Sequence, residues 1–231
     1  MRPRRLNLRS YGNIWARVQD LAVALAFLAC VLVPQAGRAA DGPVKLVVLG
    51  DSLSAGYGLP GQAAFPARLA EALKAKGVAV DVANAGVSGD TASGGRDRLD
   101  WSVPDGTEAV IVELGANDAL RGLDPALTKA ALDAILKKLQ ERHIAVLFAG
   151  MKAPRNMGAD YAAKFDAIYP ALAAAYPVIF YPFFLDGVAA DAKLNQADGM
   201  HPNAAGVDVI VERILPKVEE LVARARAARA S

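Results

Sequence analysis

Residues Val44 to Gly58 read VKLVVLGDSLSAGYG, an apolar run that stops at Gly50 and at once presents Asp51, Ser52 and Ser54. A short, near-continuous run of leucine and valine suits a parallel strand covered on both faces. The loop leaving the C-terminal end of such a strand is where open α/β sheets bind their ligands. Ser52 is therefore a candidate nucleophile. A hydroxyl is a weak one, and it needs a general base, commonly histidine, a group to orient that base, and N–H donors for a developing oxyanion.

Other meanings of the stretch are tested by its glycines. A strand-to-helix turn rich in glycine also cradles phosphate, but GDSLSAGYG fits neither G-x-G-x-x-G nor G-x-x-x-x-G-K-[ST]. No G-x-S-x-G occurs in the chain, so the nucleophile elbow of α/β-hydrolases is not supported.

Working outward, apolar runs alternate with longer amphipathic stretches. Strands are expected at Lys45–Leu49, Val78–Val82, Ala109–Leu114, Ile144–Ala149 and Val178–Tyr181, and helices at Ala63–Lys76, Thr91–Trp101, Pro125–Arg142, Tyr161–Ala175 and Ala204–Ala227. Asp124-Pro125 has the form of a cap followed by proline at the first helical position, and Gly77 ends the first helix. Five strands interleaved with helices predict a doubly wound α/β sandwich on a parallel sheet. Chemistry then belongs to the segments that leave strand C-termini: Gly50–Gly58, Ala83–Asp90, Gly115–Gly122, Gly150–Asp160 and Pro182–Pro202.

The first forty residues read differently. Five arginines precede Leu21–Val33, thirteen apolar residues, and Ala36-Gly37-Arg38-Ala39-Ala40 follows. This is the order of a secretory signal, with cleavage after Ala39 or Ala40. The run falls short of the roughly 20 residues of a membrane span, an uncleaved anchor being the alternative. Residues 1–40 hold six of the 26 basic and one of the 24 acidic residues, leaving 20 against 23, a net charge of −3, in a single domain over 41–231. The basic whole-chain balance of +2 thus gives no sign of nucleic-acid binding. The sole cysteine, Cys30, lies in the apolar run, so the domain has neither disulfide nor thiolate nucleophile.

Only two histidines can serve Ser52. His143 closes a helix, a place for surface or capping residues. His201 lies in Asp198-Gly199-Met200-His201-Pro202-Asn203. In a turn, that spacing lets Asp198 accept from the ring Nδ1–H while Nε2 faces another group. A plain structural turn capped by Asp198 is the competing reading. For an oxyanion, the N–H groups of Ser52 and Gly89 and the side-chain amide of Asn117 are candidates, although Asn, Asp and Gly also populate ordinary turns. Two histidines and no H-E-x-x-H leave too few ligands for a zinc site, so no metal is expected. Leu120 and Met157, on loops flanking Ser52, are candidates for contact with an apolar substrate or for simple loop packing.

The blocks Gly50-Asp51-Ser52-Leu53-Ser54, Gly89, Gly115-x-Asn117-Asp118 and Asp198-x-x-His201 occur in an order that resembles the SGNH subset of GDSL esterases and lipases. GDSLSAGYGL, NAGVSGDT, VELGANDALRG and DGMHPN are more narrowly similar to its bacterial periplasmic branch of arylesterases, acyl-CoA thioesterase I and lysophospholipase L1. The resemblance implies a three-layer α/β/α, flavodoxin-like fold with a five-stranded parallel sheet. It also implies cofactor-free hydrolysis of small-molecule acyl esters and thioesters in the periplasm or outside the cell. Ser52 would attack, His201 act as base, Asp198 orient it, and Ser52, Gly89 and Asn117 bind the oxyanion. A carbohydrate acetyl-esterase, or a non-catalytic binding domain on the same fold, are the alternatives.

Overall fold

The computed structural model describes residues 42–230, and the leader read over residues 1–40 lies outside them. Five strands, β1 (Val44–Gly50), β2 (Val80–Gly86), β3 (Ala109–Glu113), β4 (Ala145–Ala149) and β5 (Ile179–Tyr181), form one parallel sheet in the order β2-β1-β3-β4-β5. The connections run β1 to β2 on one side and β3 to β4 to β5 on the other. Their divergence opens a crevice between the C-terminal ends of β1 and β3, the switch point at which such sheets bind ligands.

The helices are α1 (Ser52–Ala55), α2 (Phe65–Ala75), α3 (Ala92–Asp97), α4 (Leu99–Ser102), α5 (Ala116–Leu120), α6 (Pro125–Glu141), α7 (Ala159–Asp166), α8 (Ile168–Ala175) and α9 (Ala204–Arg229). Helices α2 and α9 pack together against one face of the sheet, while α3, α6 and α8 associate on the other. α9 buries Val207, Ile210, Val211, Ile214, Val218, Leu221, Val222 and Ala225, a stripe at helical spacing. Pro216 interrupts its backbone ladder on the exposed side, where water can serve the freed carbonyl. Every residue of β3 is buried, as a central parallel strand requires.

Most expected elements differ by one or two residues at an end, and the following differences have local reasons. β2 starts later and continues through Asn84-Ala85-Gly86, because it is an edge strand paired with β1 alone and tolerates exposed polar residues. Val78, read as its start, instead donates its N–H to Leu73 O and closes the end of α2 together with Gly77. The stretch Thr91–Trp101 divides at Arg98 into α3 and α4. Tyr161–Ala175 divides at Ala167, three residues before Pro170, whose ring and missing N–H cannot continue the ladder from α7. Leu114 is buried but lies one residue past β3.

Candidate active site

β1 ends at Gly50 because the next layer leaves no room for a side chain. A Cβ there would lie 2.3 Å from Ser54 Oγ and 2.7 Å from Glu113 Oε2. The chain then turns into α1, whose first turn is capped by Asp51 Oδ1 accepting from Leu53 N–H at 3.0 Å. This cap presents Ser52, half-buried, at the switch-point crevice.

The long connection after β5 brings His201 to it. His201 Nε2 is 3.0 Å from Ser52 Oγ, and His201 Nδ1 is 2.7 Å from Asp198 Oδ2. Asp198 Oδ1 accepts from the N–H groups of Met200 and His201 at 2.9 and 3.0 Å. These backbone donors, foremost that of His201, and then the imidazole hold the Asp198 carboxyl down at about 2, so it is an anion able to fix the ring. Gln196 secures the connection to the loop of Ser52 by donating to Tyr57 O at 2.7 Å and Pro202 O at 3.0 Å. The Tyr57 ring lies 4.6 Å from the imidazole centroid.

The three oxyanion candidates lie on the segments that leave β1, β2 and β3, and two of them, Ser52 and Asn117, line one cavity. Gly89 adopts φ 82°, a conformation that disfavours a side chain, in a turn closed by Asp90 N–H donating to Val87 O. Among the described residues no acceptor engages the N–H of Ser52 or of Gly89. Asn117 Nδ2 donates to Asp51 Oδ2 at 3.1 Å and to Asp90 O at 2.9 Å. Its amide is thus held by two acceptors, and donation to an oxyanion requires one of these bonds to be shared or exchanged. Gly115, at the start of α5, is confined by Tyr169, whose Oη would lie 2.1 Å from an added Cβ.

Beneath the serine lies a buried acidic pair that sequence reasoning missed. Burial raises the Asp51 carboxyl to about 6, against the opposing N–H groups of Leu53 and Asn117. Burial, and then the charge of Asp51, pushes Glu113 well above the carboxylate range. Ser54 Oγ donates to Glu113 Oε2 at 2.7 Å, and Glu113 Oε1 has no hydrogen-bond partner among the described residues. The available signal was a glutamate closing the otherwise apolar AVIVE. Asp118, also buried, accepts from Ala92 N–H and Thr128 Oγ1 and so braces α3 rather than facing the serine.

Beside Ser52 and His201 opens a cavity of about 620 Å³, lined chiefly by Leu53, Leu120, Met151, Met157, Leu185 and Met200. Leu120 and Met157 are therefore both on its wall. Lys152 stands at it with its ammonium 4.8 Å from the Phe183 ring centre. His143 is remote: it takes φ 55° just past the end of α6, where its N–H donates to Gln140 O and that of Ile144 to Leu139 O.

Residues 48–209 match the GDSL-like Lipase/Acylhydrolase family. The chain belongs to this family. Among its GDSL relatives, thioesterase 1/protease 1/lysophospholipase L1 of Escherichia coli is 38% identical over 199 residues, covering 86% of this chain and 93% of the relative. Esterase TesA of Pseudomonas aeruginosa is 37% identical over 196 residues, covering 84% and 96%. The crystal structure of AlinE4, an SGNH-hydrolase family esterase, superposes with a TM-score of 0.66 at 45% identity, over 77% of this chain and 96% of that one.

Proposed function

We propose that this chain is a serine esterase that cleaves carboxylic acyl esters and thioesters through an acyl-enzyme on Ser52. The observation that carries the reading is the unbroken relay from Asp198 through His201 to Ser52 Oγ, at 2.7 and 3.0 Å. In the first step His201 Nε2 accepts the Ser52 proton as Oγ attacks the acyl carbon. The carbonyl oxygen takes the negative charge among the donors of Ser52, Gly89 and Asn117. As the tetrahedral species collapses, the carbon–leaving-group bond breaks and His201 returns the proton to the departing alcohol or thiol. Water, deprotonated by the same nitrogen, then releases the acid and restores Ser52. Asp198 stays anionic throughout and stabilises the imidazolium.

The volume of the adjoining cavity falls within the roughly 300–1,000 Å³ range of small-molecule sites. Its leucines and methionines, which outweigh the polar Lys152, Asn156 and Asn195 on the same wall, suit a short to medium acyl chain better than a sugar, which favours this reading over a carbohydrate acetyl-esterase. The relatives, named an esterase and a thioesterase 1/protease 1/lysophospholipase L1, support the same substrate class. Among the described residues no helix is long and apolar enough to cross a membrane. The arginine-led apolar segment of residues 1–40 supports export, cleavage and a location in the periplasm or outside the cell.

The test is hydrolysis of p-nitrophenyl acetate and labelling by a fluorophosphonate. Wild-type protein is expected to hydrolyse the ester and to be labelled once, at Ser52. Folded Ser52→Ala is expected to do neither, and full activity in that variant would overturn the proposal.

A further inference from the structure

Arg98 occupies the break between α3 and α4, and its guanidinium turns inward beneath the loops of the site. Nε donates to Asp90 Oδ2 at 2.7 Å, Nη1 to Ala85 O at 2.8 Å and to Ser102 Oγ at 2.9 Å, and Nη2 to Gly50 O at 2.8 Å. The Arg98 and Asp90 side chains are each 14% exposed. The fold makes space for this pair, because a Cβ on Gly94 would lie 1.8 Å from Asp90 Oδ1.

The acceptors chosen by Arg98 lead to all three oxyanion candidates. Gly50 O lies two residues before Ser52 at the end of β1, and it also accepts Val87 N–H at 3.1 Å from the Gly89 turn. Asp90 follows Gly89 directly, and its own carbonyl accepts Asn117 Nδ2. On the far side of the turn Arg121 Nη2 grips Gly89 O at 2.6 Å. One forked cation therefore joins the end of β1, the end of β2 and the turn between β2 and α3. Arg98 itself is absent from the wall of the substrate cavity.

We propose that Arg98 is a positioning residue: by tying Gly50, Ala85 and Asp90 together it sets the spacing of the Ser52, Gly89 and Asn117 donors around the oxyanion. The inference rests on the acyl-transfer reading of the site. Its chemistry is specific to a guanidinium, since a planar fork can hold several acceptors in fixed directions and an ammonium cannot. A displacement of about 1 Å in a catalytic group costs roughly 10²-fold in rate, so loosening this brace is felt in the transition state more than in ground-state binding.

The experiment compares kcat and KM for p-nitrophenyl butyrate in wild type, Arg98→Ala, Arg98→Lys and Asn117→Ala, with and without millimolar guanidinium chloride, on protein verified as folded by circular dichroism. Arg98→Ala is expected to lose about 10²-fold in kcat with KM within about twofold of wild type, the size of a lost oxyanion donor. Arg98→Lys is expected to lose at least about tenfold. Free guanidinium is expected to restore Arg98→Ala severalfold while leaving Asn117→Ala unimproved, a rescue that general destabilisation would not give. If Arg98→Ala does not fold, Arg98→Lys is read by the same kcat and KM criteria. Wild-type kcat in either folded variant, or a loss confined to KM, overturns the inference. Absence of Ser52-dependent hydrolysis in the wild type would instead overturn the esterase reading itself.

Discussion

Asn117 brings the chemistry of the site down to a single nitrogen. Its two amide hydrogens face Asp51 and Asp90, which aim the group but also compete with an oxyanion for it. Asn117→Ala is expected to lower kcat by about 10²–10³-fold with little change in KM, as for removal of one donor. Steady-state kinetics on an aryl ester checks this, and a change mainly in KM would mean that the amide binds substrate without favouring the transition state. At this scale the sequence was informative where chemistry leaves few options. With two histidines, only His201 had a carboxylate at turn spacing, and Ser52 closely followed an apolar strand run. Arg98, Glu113 and Tyr57 were illegible for the opposite reason. Each has at least one partner 48 to 144 positions away, as Arg98 has Gly50, Glu113 has Ser54 and Tyr57 has His201, and no local pattern announces such meetings.

Among elements, the segments after β3 and β4 wall part of the cavity beside Ser52 while the strands aim them. Leu120, at the end of α5 and 49% exposed, and Met157, which packs near Gly122 in the segment after β4, both line it. Replacing either by alanine is expected to reduce kcat/KM for an octanoyl ester by about 5–10-fold, on the order of one or two buried methylenes, and to leave the acetyl ester nearly unchanged. A p-nitrophenyl ester series of rising chain length measures this, and parallel profiles for variant and wild type would remove these side chains from acyl recognition. The cavity's other contributors, Met151, Leu185 and Met200, come from segments whose path no periodicity defines. Helix interiors were legible because one-sided burial imposes a period, and buried strands because burial on both faces leaves a short continuous apolar run. The breaks at Arg98 and Ala167 and the late start of β2 depend on tertiary hydrogen bonds, a proline and an edge position.

For the whole molecule, the site sets opposing demands on stability as pH changes. Asp51 has its folded value raised to about 6 from 3.8, so it favours the folded state fully below about 4, and this contribution is lost as pH rises through 6. Asp198 is lowered to about 2, so its contribution is present above about 4 and is lost as pH falls towards 2. Urea unfolding followed between pH 2 and 7 is expected to show Asp51→Asn flattening the decline between pH 4 and 6. Asp198→Asn is expected to flatten the loss below pH 4. If Asp51→Asn leaves the upper window unchanged, another buried carboxyl, foremost Glu113, dominates it. The doubly wound architecture was readable because alternating strands and helices allow few topologies. The strand order β2-β1-β3-β4-β5 is the flavodoxin-like one that the family resemblance implied, and the alternation of strands and helices alone does not select it.

The cavity beside Ser52 is walled by three thioethers, those of Met151, Met157 and Met200, and Met200 is 50% exposed next to His201. Unbranched and polarisable, such side chains reshape around acyl chains of different length at little cost. The same atoms accept oxygen from peroxides, and each sulfoxide would set a strong dipole in an apolar wall. Peroxide treatment is therefore expected to lower hydrolysis of the octanoyl ester before that of the acetyl ester, and an equal loss for both would remove the thioethers from acyl recognition.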